Sequence, residues 1–338
     1  MTSPDSPRRQ RSGRLGLIIP FLLLALFVVA VSAAWWQESG IVLSRLREAE
    51  GNGPGWRIAY ARVNLSGFPF RLDLDFDSPR VAEPSGWGLQ AGRLKAEAFV
   101  FSPTHWVIVA PAGVIVTRPR QGPLFVAAKA LRASISEADR HPPRVSVEGL
   151  DLTFSTAPGA RPFFIDSAHE LHIHTRSGPA DQGAAYLEVD DARTQLSGLL
   201  ARIAAGGPVS FIADGVFTHA SALSGPSLGD AVRGWSDAGG DLSVRRLRLG
   251  AGRALIEARP GVLRAGPTGR LSGQLSVSLR QADAVANGLA GSGGLDAQRG
   301  REIGEVTGGA AVATLPLALR DGRVRLGPID IGPSPRLF

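Results

Sequence analysis

Four groups of residues have types and spacings that could do chemistry. His169-Glu-Leu-His172-Ile-His174 is the first, and it is the densest grouping of histidines. On a strand, His172 and His174 project from one face about 7 Å apart, with Glu170 on the same side. A metal would need a third ligand from a neighbouring strand. Leu171 and Ile173 fill the other face, so an amphipathic strand with its polar residues outward is the expected reading. Asp73-x-Asp75-x-Asp77 has the opening spacing of a calcium loop. Such a loop needs Gly at its sixth position and Glu at its twelfth, where this chain has Ser78 and Pro84. These carboxylates are expected to keep a strand face wet and to pair with cross-strand arginines. Gly225-Pro-Ser227-Leu-Gly229 matches the G-x-S-x-G pattern of an esterase elbow. That elbow needs an acid and then a histidine later in the chain. All six histidines (His105, His141, His169, His172, His174 and His219) come before Ser227. A loop or helix cap is expected there. Gly250-Ala251-Gly252 lacks the third glycine and the following helix of a phosphate loop. No catalytic residue, metal ligand or cofactor site is assigned, and the protein is expected not to be an enzyme.

The elements that would position any site are written in the composition. The chain has 338 residues, with 44% apolar and 20% charged, which is enough apolar surface for a sizeable core and argues against disorder. It has no cysteine, which excludes disulfides, thiolate catalysis and iron–sulfur clusters. The net charge is +7, from 35 arginines and only two lysines, Lys95 and Lys129, against 30 acidic residues. Residues 1–34 carry +3 of that, leaving the longer remainder nearly balanced. The densest arginines there are Arg245, Arg246 and Arg248, then Arg320, Arg323 and Arg325. They read as solvated strand faces, with anionic headgroups as the alternative contact. No nucleic-acid partner is expected.

Residues 15–34 read LGLIIPFLLLALFVVAVSAA, and no charge falls between Leu15 and Trp36. About 20 such residues span a bilayer core. Arg8, Arg9, Arg11 and Arg14 precede the run, and Trp35 and Trp36 close it at interface depth. The expected organisation is a cytoplasmic basic tail (1–14), a transmembrane anchor (15–36), a short linking helix (37–50) and a β-rich periplasmic body (51–338). The protein is then a single-pass bacterial inner-membrane protein with its N-terminus in the cytoplasm. A cleaved signal peptide ending near Val31-Ser32-Ala33 is the alternative, and it leaves the body on the same side.

In residues 37–50, Ile41, Leu43, Leu46 and Ala49 form a candidate apolar face, and Gly51-Asn52-Gly53-Pro54-Gly55 ends the helix. Beyond Trp56 the period is two. Phe70, Leu72, Leu74 and Phe76 alternate with Arg71, Asp73, Asp75 and Asp77, and Leu275, Val277 and Leu279 alternate with Ser276, Ser278 and Arg280. Similar runs recur up to Val324/Leu326, and their phase slips at glycines such as Gly149, as bulges would make it. Helical pattern is confined to 227–236 and 280–290. Weak boundaries fall near Pro158–Arg161 and in 288–300. The expected fold is mainly β: one N-terminal transmembrane helix, then an elongated, mostly antiparallel, curved sheet or sheet pair with a few short helices.

Two stretches carry a resemblance. One is Gly55-Trp56-Arg57 followed by Ser66-Gly67-Phe68-Pro69-Phe70-Arg71, and the other is Leu317-x-Leu319-Arg320-Asp321-Gly322-Arg323-Val324-Arg325-Leu326-Gly327-Pro328. With the anchor, and with Phe101 to Val109 and Pro111 as the next segment, the chain resembles the bacterial domain-of-unknown-function 2125 family over roughly residues 40–338. Its Asp-Gly strand pairs also look like those of AsmA-like envelope proteins. The resemblance implies no catalytic residues. In the first motif Gly67 permits a left-handed bend, Pro69 fixes a turn, and Phe68 and Phe70 are expected to anchor the first strand in the core, with lipid contact as the alternative. The expected function is lipid binding or transfer in outer-membrane maintenance, with the membrane and lipid as partners. The alternative is an envelope scaffold that binds a protein partner without lipid cargo. A wide apolar trough would favour the first and a tightly packed sandwich the second.

Overall fold

The computed structural model describes residues 15–50, 55–194, 199–266, 268–282, 285–286, 294–308 and 312–337. A long helix, α1 (Leu15–Ala49), is followed by strands β1 (Arg57–Ala59), β2 (Arg62–Ser66), β3 (Arg71–Asp77), β4 (Arg80–Ala82), β5 (Gly88–Gln90), β6 (Arg93–Phe99), β7 (Ser102–Val109) and β8 (Val114–Arg118). Longer strands come next: β9 (Gly122–Ser136), β10 (Arg144–Thr156), β11 (Ile165–Ser177) and β12 (Gly183–Thr194). After a short helix, α2 (Leu199–Ala204), the chain forms β13 (Val209–Phe217), α3 (Leu228–Asp237), β14 (Asp241–Ala251), β15 (Ala254–Ala258), β16 (Gly261–Ala265) and β17 (Leu271–Arg280). It closes with α4 (Gly294–Thr307), β18 (Val312–Arg320), β19 (Arg323–Leu326) and β20 (Ile329–Pro333).

Among the described residues all twenty strands belong to one sheet, and every pairing between them is antiparallel. The path is an up-and-down meander. Several rungs are broken in two: β2 and β1 pair with β3 and β4, which pair with β6 and β5, which pair with β7 and β8. Both halves then meet the unbroken β9. From β9 to β14 each strand pairs with the next, and β15 and β16 share one rung between β14 and β17. The strands on either side of Pro158–Arg161, β10 and β11, pair directly.

The phase slips have a common cause. In β9 to β12 the residues facing the core are spaced by three at one point: Ala128 and Leu131, Gly149 and Leu152, Ala168 and Leu171, Val189 and Ala192. Two consecutive residues face away between each pair, as in a bulge. Asp151 and Asp191 take the left-handed conformation there (φ 49° and 42°). Because neighbouring strands slip together, the pairing of β10 with β9 and with β11 keeps its register across the crease. A second slip at Arg245 separates the Leu242/Val244 alternation from the Leu247/Leu249 alternation within the single strand β14.

The helices are few and peripheral. The linking helix continues α1 without a break, and Val42 and Leu46 pack on Leu74, Phe76 and Ala96, while Ala49 is exposed. Gly51 to Pro54 lie outside the described residues. α2 sets Ile203 and Ala204 on a cluster with Leu124, Leu152, Val209 and Ala251. α3 buries Trp235 on Phe217 and Ala220. Of the helix expected over 280–290, Ala282, Val285 and Ala286 are helical and most of the rest lies outside the described residues. α2 and α4 were not expected from periodicity.

Candidate functional site

Pairing register turns the alternation within each strand into continuous rows across the sheet. On one face, following the ladder from partner to partner, the row reads Leu65, Leu74, Ala96, Ile108, Ala133, Val147, Ile173, Leu187, Ala213, Leu247, Ala258, Val277, Leu315. Every member is apolar. A second row beside it, Leu131, Gly149, Leu171, Val189, Phe211, Leu249, Ile256, Leu279, Ala313, is equally free of polar side chains. At roughly 4.8 Å per strand the first row runs about 60 Å along the sheet.

Covering is uneven along this face. Leu74 and Ala96 at one end and Val277 toward the other are buried. Between them Ala133, Val147, Leu187, Ala213 and Leu247 are only half-buried, and Ile173 is 36% exposed. A contiguous apolar strip of this kind marks an interaction surface, since soluble monomers rarely leave one uncovered.

The opposite face is a charge ladder. Asp75, Lys95, Val109, Arg132, Glu148, His172, Glu188, Ile212, Arg248 and Glu257 follow one another across the strands. Arg132 Nε donates to Glu148 at 2.8 Å, and that hydrogen bond holds the Glu148 carboxyl below its ordinary range. Lys95 meets Asp75 at 3.8 Å, Arg93 meets Asp77 at 3.8 Å, and Arg71 bridges Asp73 (3.0 Å) and Glu97 (2.5 Å). Of the Asp73/Asp75/Asp77 run, Asp77 pairs with a cross-strand arginine as expected, Asp75 pairs with a cross-strand lysine, and Asp73 pairs with Arg71 of its own strand. Arg248 faces Glu257 at 3.7 Å and Arg323 faces Asp330 at 2.7 Å, so the arginine runs lie on solvated strand faces.

The histidines sit on this polar side. His172 and His174 stack at 6.0 Å, and His174 stacks on Tyr186 at 5.9 Å. His172 Nε2 lies 3.3 Å from Glu170, on the face expected from spacing. His169 falls on the crease, where its Nδ1 meets Asp151 Oδ1 at 2.8 Å, a hydrogen bond that raises its pKa. Among the described residues no group of three or more candidate metal ligands converges.

Ser227 caps α3. Its Oγ accepts from the Asp230 N–H (3.1 Å) and donates to Asp230 Oδ2 (2.7 Å). Asp230 lies in the first turn of the helix, so the G-x-S-x-G pattern here serves a helix terminus. Glu83, also buried, reaches the same terminus. Burial pushes its carboxyl up, but hydrogen bonds from the Ser85 hydroxyl and from the backbone N–H groups of Ser85, Trp87 and Leu228 outweigh this and hold it below the usual range.

The family-motif residues split by role. Gly67 has φ 96°, and a Cβ there would lie 2.7 Å from the Arg71 carbonyl oxygen, so only glycine fits. Pro69 forms a turn between β2 and β3, with a cis Phe68–Pro69 bond. Phe68 and Phe70 correct the expectation of core anchors: they are 55% and 48% exposed, because the turn carries both rings past the end of the sheet. Asp321 and Gly322 (φ 54° and 72°) make the two-residue turn between β18 and β19. Gly327 (φ 57°) donates its N–H to the Pro316 carbonyl at 2.7 Å, and Pro328 completes the turn into β20. Of the residues expected at a membrane interface, Trp35 and Trp36 lie on α1, and Arg8, Arg9, Arg11 and Arg14 lie outside the described residues. From Ile19 onward α1 is long and apolar enough to cross a membrane, a property that signal sequences share.

The motif turns and the β-rich body fit one family, whose model, described as "Uncharacterized protein conserved in bacteria", matches residues 46–335. The chain belongs to the DUF2125 family. The match takes in every strand of the sheet and both motif turns, and it begins within the linking part of α1. No curated protein and no solved structure matches the chain. The two apolar rows could not be read from sequence, because they exist only once the register is known. The signal that could have found them is the apolar alternation itself, repeated in strand after strand.

Proposed function

We propose that this DUF2125 protein is a non-enzymatic, membrane-tethered protein of the bacterial envelope that binds lipid acyl chains on the apolar face of its sheet and passes them along it. The observation that carries the reading is the unbroken apolar row from Leu65 to Leu315, only half-buried in its middle. A protein fold normally closes such a face with a second layer, and here all the described strands form a single sheet. Acyl chains supply the missing layer at little cost, since they need no hydrogen bonds and slide along a surface without polar traps. In this reading α1 tethers the chain at a source of such molecules, and the arginines ahead of its apolar run favour an N-terminus in the cytoplasm and a body in the periplasm. Nothing in this role calls for a nucleophile or a metal. The large, open, one-sided sheet and its tether also fit the AsmA-like reading, in which the lipid serves upkeep of the outer membrane.

The test is to purify the full chain from bacterial membranes in a mild non-ionic detergent and identify bound lipid by native mass spectrometry. Lipid should stay bound to the parent protein and be lost from the double variant Ile173→Asp/Leu187→Asp, which places charges mid-row where side chains are already part-exposed. Equal lipid on parent and variant would overturn the proposal. So would a lipid-free protein that crosslinks to one defined envelope partner, the result expected of a scaffold.

A further inference from the structure

We propose that two aromatic hairpin tips seat one end of the sheet in the headgroup layer of the bilayer that α1 enters; this rests on the membrane reading of α1. The tips are the turn Phe68-Pro69-Phe70 between β2 and β3 and the turn Phe99-Val100-Phe101 between β6 and β7. They are one unit, since the Val100 N–H donates to the Phe70 carbonyl at 3.0 Å. Phe99 and Phe101 are 63% and 67% exposed, with Phe68 and Phe70 half-exposed beside them. No charged residue lies between Leu65 and Phe70 or between Ala98 and Thr104. Four exposed phenyl rings on an uncharged tip form a poor solvent-facing surface and a good wedge for an acyl boundary.

Their depth is set by α1. The apolar stretch from Leu15 to Trp36 is about 32 Å long at 1.5 Å per residue, which matches a hydrocarbon core of about 30 Å. Trp35 and Trp36 therefore reach the far interface, where such rings concentrate. Trp35 is also the residue that holds the tips. Its indole N–H donates to the Arg71 carbonyl at 2.8 Å, and its ring meets Phe68 edge-on at 5.4 Å. Trp36, 70% exposed, stands 5.7 Å from Trp35. The tips thus share the level of the tryptophan pair, and the apolar row starts just above them at Leu65 and Leu74.

The native chain lacks cysteine, so single substitutions can be labelled uniquely. Full-length Phe101→Cys and Phe99→Cys, each carrying a bimane fluorophore, would be reconstituted into vesicles of phosphatidylethanolamine and phosphatidylglycerol containing doxyl-labelled lipid. Ala157→Cys, in the exposed turn at the other end of the strands, reports water, and Val28→Cys on the lipid-facing side of α1 reports the core. Expected are blue-shifted emission and doxyl quenching at positions 99, 101 and 28, with neither at 157. If 28 is quenched but 99 and 101 respond to aqueous iodide like 157, the tips are not seated and the proposal fails while the anchor stands. If 28 is also unquenched, the membrane reading of α1 fails with it. Labels at 99 and 101 shielded from both lipid and iodide would mean that protein covers the tips, which equally overturns the proposal.

Discussion

Gly149 shows how closely single residues set the crease. A Cβ on it would lie 2.8 Å from Leu152 Cδ2, because the slip aims both residues at the same side. Gly149→Val should destabilise the protein by about 1–3 kcal/mol, read as a lower urea midpoint with the slope unchanged. Asp151, next to the slip, bonds His169 and raises its pKa. A histidine whose folded pKa is raised contributes stability below its unfolded pKa and loses it as pH rises through the folded value. Asp151→Asn should therefore bring the His169 titration, followed by NMR, back to lower pH and flatten stability in the interval between the ordinary histidine value and the raised one. Glu148 has the opposite sign: its carboxyl is depressed by Arg132, so its contribution is present at neutral pH and fades as pH falls through the folded pKa.

At the scale of elements, Ser227→Ala should cost about 1 kcal/mol through the lost cap of α3. It should leave lipid retention unchanged, as thermal melts and native mass spectra of the variant would record. This helix was legible because an N-cap serine opens a short amphipathic run. The strands were legible for a related reason: one-sided burial writes a period of two, as in Leu72, Leu74 and Phe76. The crease was visible only as a lost phase at Gly149, since an aspartate gives no sign that its backbone turns left-handed. α2 is six residues long, too short to show a period, and α4 is broken by glycines and charges. Phe68 and Phe70 lie outside the core that their apolar character suggests, because an apolar ring looks the same in sequence whether it is buried or exposed at a turn.

Across the whole molecule the two faces should be separable by mutation. Arg132→Ala removes an exposed rung of the charge ladder and should cost under about 1 kcal/mol, as surface pairs do, without touching bound lipid. Charges placed mid-row on the other side should do the reverse: lose lipid with little change in melting temperature. A protein whose lipid content followed both kinds of substitution equally would not be using one face. The candidate site was thus half legible. Sequence supplied the apolar residues, but only pairing between strands far apart in the chain lines them up.

The meander has one more implication. From β9 to β14 each rung is bonded only to the rungs before and after it in the chain, so a hairpin could be added or deleted there without rerouting any connection. Length would then change in steps of about 9–10 Å per hairpin, while both margins kept their neighbours. Evolution or a protein engineer could tune the reach of such a body as one adjusts a ladder, by counting rungs.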